Sequence, residues 1–261
     1  MLTKGLKGEM LHCVQHDGLS LRSLITMCRM LGIKNFDYSK NEELITSFFE
    51  IARTGKTLKG DCSGHTDGWG IGYYKNGKAN VFKSGNSVLK EKDSYFKTLK
   101  KISTSKILII HFRKSAWSNT NSPENSHPFL WNNFLFAHNG TIYNFRKLLK
   151  EIKPAYKPRA CALDTEVYFR YIISNNGNET GLNVLCFRDT VSKIKKNNKY
   201  SSLTCLIADG NNLCAYREFT KSPDYYTLFY TKIGNSTIIC SELISKNLKW
   251  RLLGKSKLFT Y

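Results

Sequence analysis

"ITMCRMLGI" occupies residues 25 to 33 and sets a cysteine, Cys28, directly behind a methionine, Met27. The reading of that pair decides what kind of chain this is. At a true N-terminus, excision of the methionine leaves a cysteine whose thiol and free α-amino group sit on adjacent carbons. Inside a chain the same dipeptide carries no chemistry of its own.

The rest of the sequence bounds the answer. With 261 residues and 41% hydrophobic content, the chain can bury a full core as one large domain or two small ones. Eight cysteines are scattered at positions 13, 28, 62, 161, 186, 205, 214 and 240, with no Cys-x-x-Cys pair. Neither a zinc ribbon nor a redox dithiol is spelled out. Several lie in apolar runs such as "LTCLIA", where a reduced cysteine behaves as a small hydrophobe. No apolar stretch near Met1 reads as a signal peptide, and runs such as "ILII" are far too short to span a bilayer. A cytoplasmic, reduced protein without a membrane segment is expected. The net charge of +20 raises nucleic acid as a partner, but the basic residues are mostly lysine and spread along the chain. The dense cluster "KIKKNNK" (193–199) lacks interleaved aromatics or arginines, so it offers only sequence-independent attraction. No specific nucleic-acid partner is expected.

Periodicity predicts one mixed domain. "NEELITSFFEIARTG" has helical spacing, with Asn41 as candidate N-cap and Gly55 as the stop. "GWGIGYYKNGKANVFKSG" reads as two strands around a Lys-Asn-Gly turn. "KEKDSYFKTLKKI" predicts a helix with Phe96 and Leu99 inward. "KILIIHF" and "NFLFAHN" read as buried strands, "NFRKLLKEI" and "DTEVYFRYII" as helices. The tail, from "SLTCLIAD" to "SKLFTY", alternates strands and turns. Strands in hairpin-like succession favour α+β with antiparallel sheets.

Some motifs fail on chemistry. "RTGKT" ends like a phosphate-binding loop, but Glu50 stands where the first glycine belongs. His12, Cys13 and His16 have helical ligand spacing without further ligands. Gly68, Gly70 and Gly72 alternate along a strand, which lets another backbone or a ligand come close. Three polar stretches remain: "IIHFRKSA" with Arg113, "FLFAHNGT" with Asn139 and Gly140, and "LDTEVYF" with Asp164. Each alone has a plain structural reading: a strand-end charge, a tight turn and a helix N-cap.

Together with Met27-Cys28 they resemble one family, the class II glutamine amidotransferases, which are N-terminal-nucleophile hydrolases. "MCRMLGI", "DGWGIGYY", "HFRKSA", "NSHPF", "FAHNGTI", "DTEVYF" and "CSELIS…W" follow in the family's order over nearly all of residues 27–261. The chain is most similar to small stand-alone members related to proteins that cleave γ-glutamyl peptides. It departs at Ser115, where threonine is usual, at "AWSNT", and at Met30 in place of leucine. The resemblance implies a four-layer αββα sandwich of two antiparallel sheets. It also implies an enzyme in which Cys28 attacks a γ-glutamyl amide, Asn139 and Gly140 hold the oxyanion, and Arg113 and Asp164 bind the substrate α-carboxylate and α-ammonium. No metal and no cofactor are expected.

The chemistry calls for these residue types. A thiol with a pKa of about 8.5 needs a base, and a terminal α-amino group titrating at about 7.7 to 8.0 is one. Residues 1–27 are therefore expected to be an upstream leader, either a misassigned start with Met27 as initiator or a propeptide, and residues 28–261 the amidotransferase domain. The expected substrate is glutamine, with a γ-glutamyl peptide such as glutathione as the alternative, and any ammonia acceptor on a separate protein. A non-catalytic binding module with an internal Cys28 is the alternative from another class. Trp117, in the long polar stretch "AWSNTNSPENSHPF", is expected either to stack on a leaving group larger than ammonia or to pack against a neighbouring helix.

Overall fold

The computed structural model describes residues 28–57 and 61–261. His12, Cys13, His16 and Met27 lie outside them. In chain order the strands are β1 (Arg29–Asp37), β2 (Trp69–Lys75), β3 (Lys78–Ser84), β4 (Thr104–Phe112), β5 (Phe129–Trp131) and β6 (Phe134–Asn139). They continue as β7 (Thr204–Ala208), β8 (Leu213–Tyr216), β9 (Phe229–Ile233), β10 (Ser236–Cys240), β11 (Arg251–Leu252) and β12 (Leu258–Thr260). The helices are α1 (Tyr38–Thr54), α2 (Lys92–Ile102), α3 (Arg146–Glu151), α4 (Asp164–Asn176) and α5 (Val184–Asn197). One sheet runs β11-β9-β10-β1-β4-β2-β3 and the other β12-β8-β7-β6-β5. Neighbouring strands are antiparallel throughout.

Side-chain alternation along the strands builds the layers. Met30, Ile107, Ile109 and Ile239 of the first sheet meet Leu135, Ala137, Leu206 and Ala215 of the second in a core between the sheets. The residues one step along, Leu31, Ile33, Leu108 and Ile110, turn outward onto Leu44, Ile45, Phe48 and Leu99 of α1 and α2. On the other flank Phe136, Cys205, Ile207 and Cys214 meet Val167, Ile172, Phe187 and Val191 of α4 and α5. Helix, sheet, sheet, helix is the expected αββα order. Burial of each such apolar side chain contributes about 1.5 to 3 kcal/mol.

The hairpin turn sits at Asn76-Gly77, both with positive φ, as the twist of a two-residue hairpin loop requires. The alternating glycines admit another backbone. A Cβ on Gly70 would stand 2.4 Å from the His127 carbonyl and one on Gly72 2.6 Å from the Pro128 ring, so the segment before β5 lies flat on β2.

Local chemistry corrects several boundaries. The N-cap of α1 is Asp37, whose side chain accepts the Ser39 amide. Asn41 is buried inside the helix, its Oδ1 accepting the Asp37 amide at 3.1 Å. In α2 the fully buried aromatic is Tyr95, one residue before Phe96. Asp164 does not cap α4: Leu163 is the N-cap and Asp164 the first helical residue. Helix α5 was hidden by the lysine cluster. It is capped by Asn183, buries Phe187, Val191 and Ile194, and ends in Lys195 and Lys196. Lys195 forms an ion pair with Glu218 at 2.7 Å, so part of that cluster is structural.

Candidate functional site

The start of β1 sets the site. Cys28 immediately precedes β1, and β1 is paired with β4 so that Arg29 lies opposite Phe112. Arg113, one residue beyond β4, therefore comes to the same sheet end as Cys28. The second sheet brings the end of β6 across from it. The Cys28 amide donates to Asn139 Oδ1 at 3.1 Å, a bond between residues 111 positions apart. Cys28, Arg113, Gly140 and Asp164 line one pocket, together with Ser115 and Trp117. Asn139 joins them through its bond to Cys28. All five residues expected from the sequence thus come together.

The polar groups here are unusually incomplete. Asn139 is fully buried, and with Oδ1 engaged by Cys28 its Nδ2 has no partner. A buried amide N–H without an acceptor is costly. Gly140 is pressed against the segment just before β7: a Cβ there would lie 2.2 Å from the Ser202 carbonyl, so no side chain fits. Arg113 is buried, and its guanidinium donates to the Asp67 and Thr120 carbonyls, to Asn121 Oδ1, and to the hydroxyls of Ser115 and Thr120. Among the described residues none of these bonds goes to a carboxylate. Asp164, also buried, accepts the Ile142 amide at 2.9 Å and the Trp117 indole N–H at 3.1 Å.

Burial dominates the electrostatics. It pushes the Cys28 thiol up to about 11, against the opposing influence of a Lys114 backbone hydrogen bond and Arg113. It raises Asp164 above the usual carboxylate range, opposed by His138 and by the Ile142 and Trp117 donors. It holds His111, His127 and His138 below the ordinary histidine value, so all three are neutral near pH 7. The His111 and His127 rings lie against each other at a tilt, centroids 4.0 Å apart. His138 bonds Thr165 Oγ1 and the Ser202 carbonyl. Among the described residues no group of three or more His, Cys, Asp or Glu could hold a metal ion, and no helix is long and apolar enough to cross a membrane.

Residues that sequence reasoning passed over fix this geometry. Arg29, 1% exposed, pairs with Glu242 at 2.7 Å and donates to the Cys28 carbonyl at 3.1 Å. It also donates to the Lys56 carbonyl and lies over the Tyr225 ring. A buried cation tied to three other chain segments keeps Cys28 from fraying as the first residue before a strand otherwise could. The signal was present in "CRM" and "CSELIS", but nothing in a sequence pairs positions 213 residues apart. Asp67 accepts the Ser115 amide at 2.9 Å, and Ser115 Oγ bonds Arg113, Trp117 and Thr120. The serine found in place of threonine thus supplies the hydroxyl that this turn uses.

Comparison with known proteins agrees with the fold. The family model for class II glutamine amidotransferases matches residues 27–232. An uncharacterized protein of Methanocaldococcus jannaschii, MJ1515, is 30% identical over 201 residues, which is 74% of this chain and 51% of that protein. The chain therefore spans about half the length of that relative. Among solved structures, the glutamine phosphoribosylpyrophosphate amidotransferase of B. subtilis superposes with a TM-score of 0.63 at 18% identity, covering 89% of this chain and 47% of that one. A glutamine aminotransferase class-II domain protein of Silicibacter pomeroyi gives 0.57 at 15% identity over 89% and 94%. A predicted glutamine amidotransferase of Pseudomonas aeruginosa gives 0.52 at 17% over 90% and 96%. At these identities the likeness is one of fold, that of the N-terminal-nucleophile hydrolases. With most of its length matched by the family model, the chain belongs to the class II glutamine amidotransferases.

Proposed function

We propose that this chain hydrolyses the side-chain amide of glutamine, or a γ-glutamyl peptide bond, through Cys28 as an N-terminal nucleophile. The observation that carries the proposal is the Asn139 side chain. Only its carbonyl oxygen can accept the Cys28 amide, which fixes the orientation of the group and leaves Nδ2 as a buried, unpartnered donor beside the thiol-bearing residue. Such a donor suits an oxygen that becomes negative only during reaction. The Gly140 N–H is its proposed companion.

The steps balance as follows. The α-amino group of a terminal Cys28 takes the thiol proton, and the thiolate attacks the amide carbon. The tetrahedral oxyanion collapses, the C–N bond breaks, and the nitrogen leaves as ammonia, or as an amine from a peptide, with the proton returned by the α-ammonium. Water then cleaves the thioester to glutamate and restores the thiol. Arg113, a buried cation with no carboxylate bound, takes the substrate α-carboxylate, and Asp164 takes the α-ammonium. With residues 1–27 attached, the Cys28 nitrogen is an amide and cannot serve as the base. A thiol near 11 is then ionised in roughly one molecule in ten thousand at pH 7. The working chain accordingly begins at Cys28, with Met27 as its initiator, acts in the cytoplasm, and hands ammonia to a separate acceptor protein where one is used.

Glutamate release from glutamine and from γ-glutamyl-cysteine, for wild type and Cys28→Ala, tests the reading. Wild type should release glutamate, and the variant should lose turnover to background while its thermal midpoint stays within a few degrees. Unchanged turnover in Cys28→Ala would remove Cys28 as the nucleophile.

A further inference from the structure

Trp117 stands four residues past Arg113 and touches the opposite charge of the site. Its indole N–H donates to Asp164 Oδ1 at 3.1 Å, and its ring meets Phe145 edge-on at 6.1 Å. The turn that carries it is held rigidly. Ser115 Oγ accepts from the Arg113 guanidinium at 2.8 Å and from the Trp117 amide at 3.0 Å, and Thr120 Oγ1 donates to the Trp117 carbonyl at 2.7 Å. Arg113, Ser115, Trp117 and Asp164 thus form one continuous hydrogen-bonded chain along the pocket wall.

A carboxylate has about four lone-pair sites on two oxygens. In Asp164 the Ile142 amide takes one on Oδ2 and the Trp117 indole one on Oδ1, which pins the plane of the group and leaves acceptor capacity on each oxygen. We infer that Trp117 is a specificity-determining residue: it aims the remaining lone pairs of Asp164 at the substrate α-ammonium and sets the spacing between Arg113 and Asp164, so that the site selects α-amino acids over the corresponding plain acids. The inference rests on the proposed role of Asp164. It assigns Trp117 to the amino-acid end of the substrate, where the sequence reading had considered the leaving group.

Trp117→Phe keeps an aromatic ring against Phe145 and removes the N–H together with part of the indole bicycle. The measurement is kcat/KM of wild type and variant for glutamine, γ-glutamyl-cysteine and glutaric acid monoamide, which is glutamine without its α-amino group. Loss of one donor to a charged acceptor should lower kcat/KM about tenfold for both amino-acid substrates, through KM, and leave the monoamide within about twofold. Equal losses on all three substrates, no loss on any, or a loss confined to γ-glutamyl-cysteine would each overturn the inference. If wild type turns over none of them, the proposed hydrolysis fails by itself. Calorimetric titration of L-glutamate and glutarate then decides the inference: Trp117→Phe should weaken L-glutamate about tenfold and spare glutarate, and any other pattern overturns it.

Discussion

The two ends of the sheet sandwich are both rich in polar residues, and they use them differently. At the end where β1 stops, roughly 30 Å from Cys28 along the strand, polar side chains mainly complete backbone amides and carbonyls. Asp209 accepts the Asn211, Asn212 and Leu182 amides. Asn133 bonds the Ala79 amide and the Gly77 carbonyl, and Asp37 caps α1. Bonds at both ends join distant parts of the chain, 54 residues apart for Asn133 and Ala79 and 111 for Cys28 and Asn139. The Cys28 end leaves several polar groups over, Asn139 Nδ2 and both ring nitrogens of His111 and of His65, against Asn41 Nδ2 at the far end. Polarity spent on backbone amides and carbonyls stabilises the fold. Polarity left incomplete beside Cys28 points to a ligand that completes it.

That contrast breaks if substitutions at the two ends act alike. At the Cys28 end, Asn139→Ala removes a donor needed only as negative charge develops, so steady-state kinetics should show kcat lowered by about 10² to 10³ with KM changed by less than about threefold. An effect confined to KM would make Asn139 a ground-state binding residue. At the far end, Asp209→Ala leaves three backbone amides without their acceptor. Thermal or urea unfolding should register a loss of about 2 to 3 kcal/mol, with kcat/KM on glutamine unchanged. A selective loss of activity in Asp209→Ala at full stability would make the far end functional and erase the distinction.

A contrast between near and distant contacts explains what the sequence made legible. The Asn76-Gly77 hairpin and the stop of α1 at Gly55 are written in neighbouring residues, and both are where the spacing puts them. Tyr95 was displaced by Phe96 in the reading of α2 because two adjacent aromatics compete for one inward position and only the packed partners choose. Helix α5 was masked because its apolar stripe of Phe187, Val191 and Ile194 is interleaved with lysines that read as a charged tract. Of the site, Cys28, Arg113, Asn139, Gly140 and Asp164 were reached through the resemblance of their motifs and not through spacing; four line one pocket and Asn139 joins them through its bond to Cys28. The Arg29–Glu242 clamp and the Trp117–Asp164 bond were beyond reach, since each joins residues whose proximity exists only once both sheets are stacked.

The central claim is that the reactive group is Cys28 at a chain terminus. Its most direct test is the intact mass of the protein after reaction with a diazo-ketone analogue of glutamine, set beside the glutaminase activity of the same sample. The account predicts that the label is carried by a chain beginning at Cys28, in step with lost activity, and that chains retaining residues 1–27 are neither labelled nor active. Labelling and full turnover in chains that still carry those residues would contradict it.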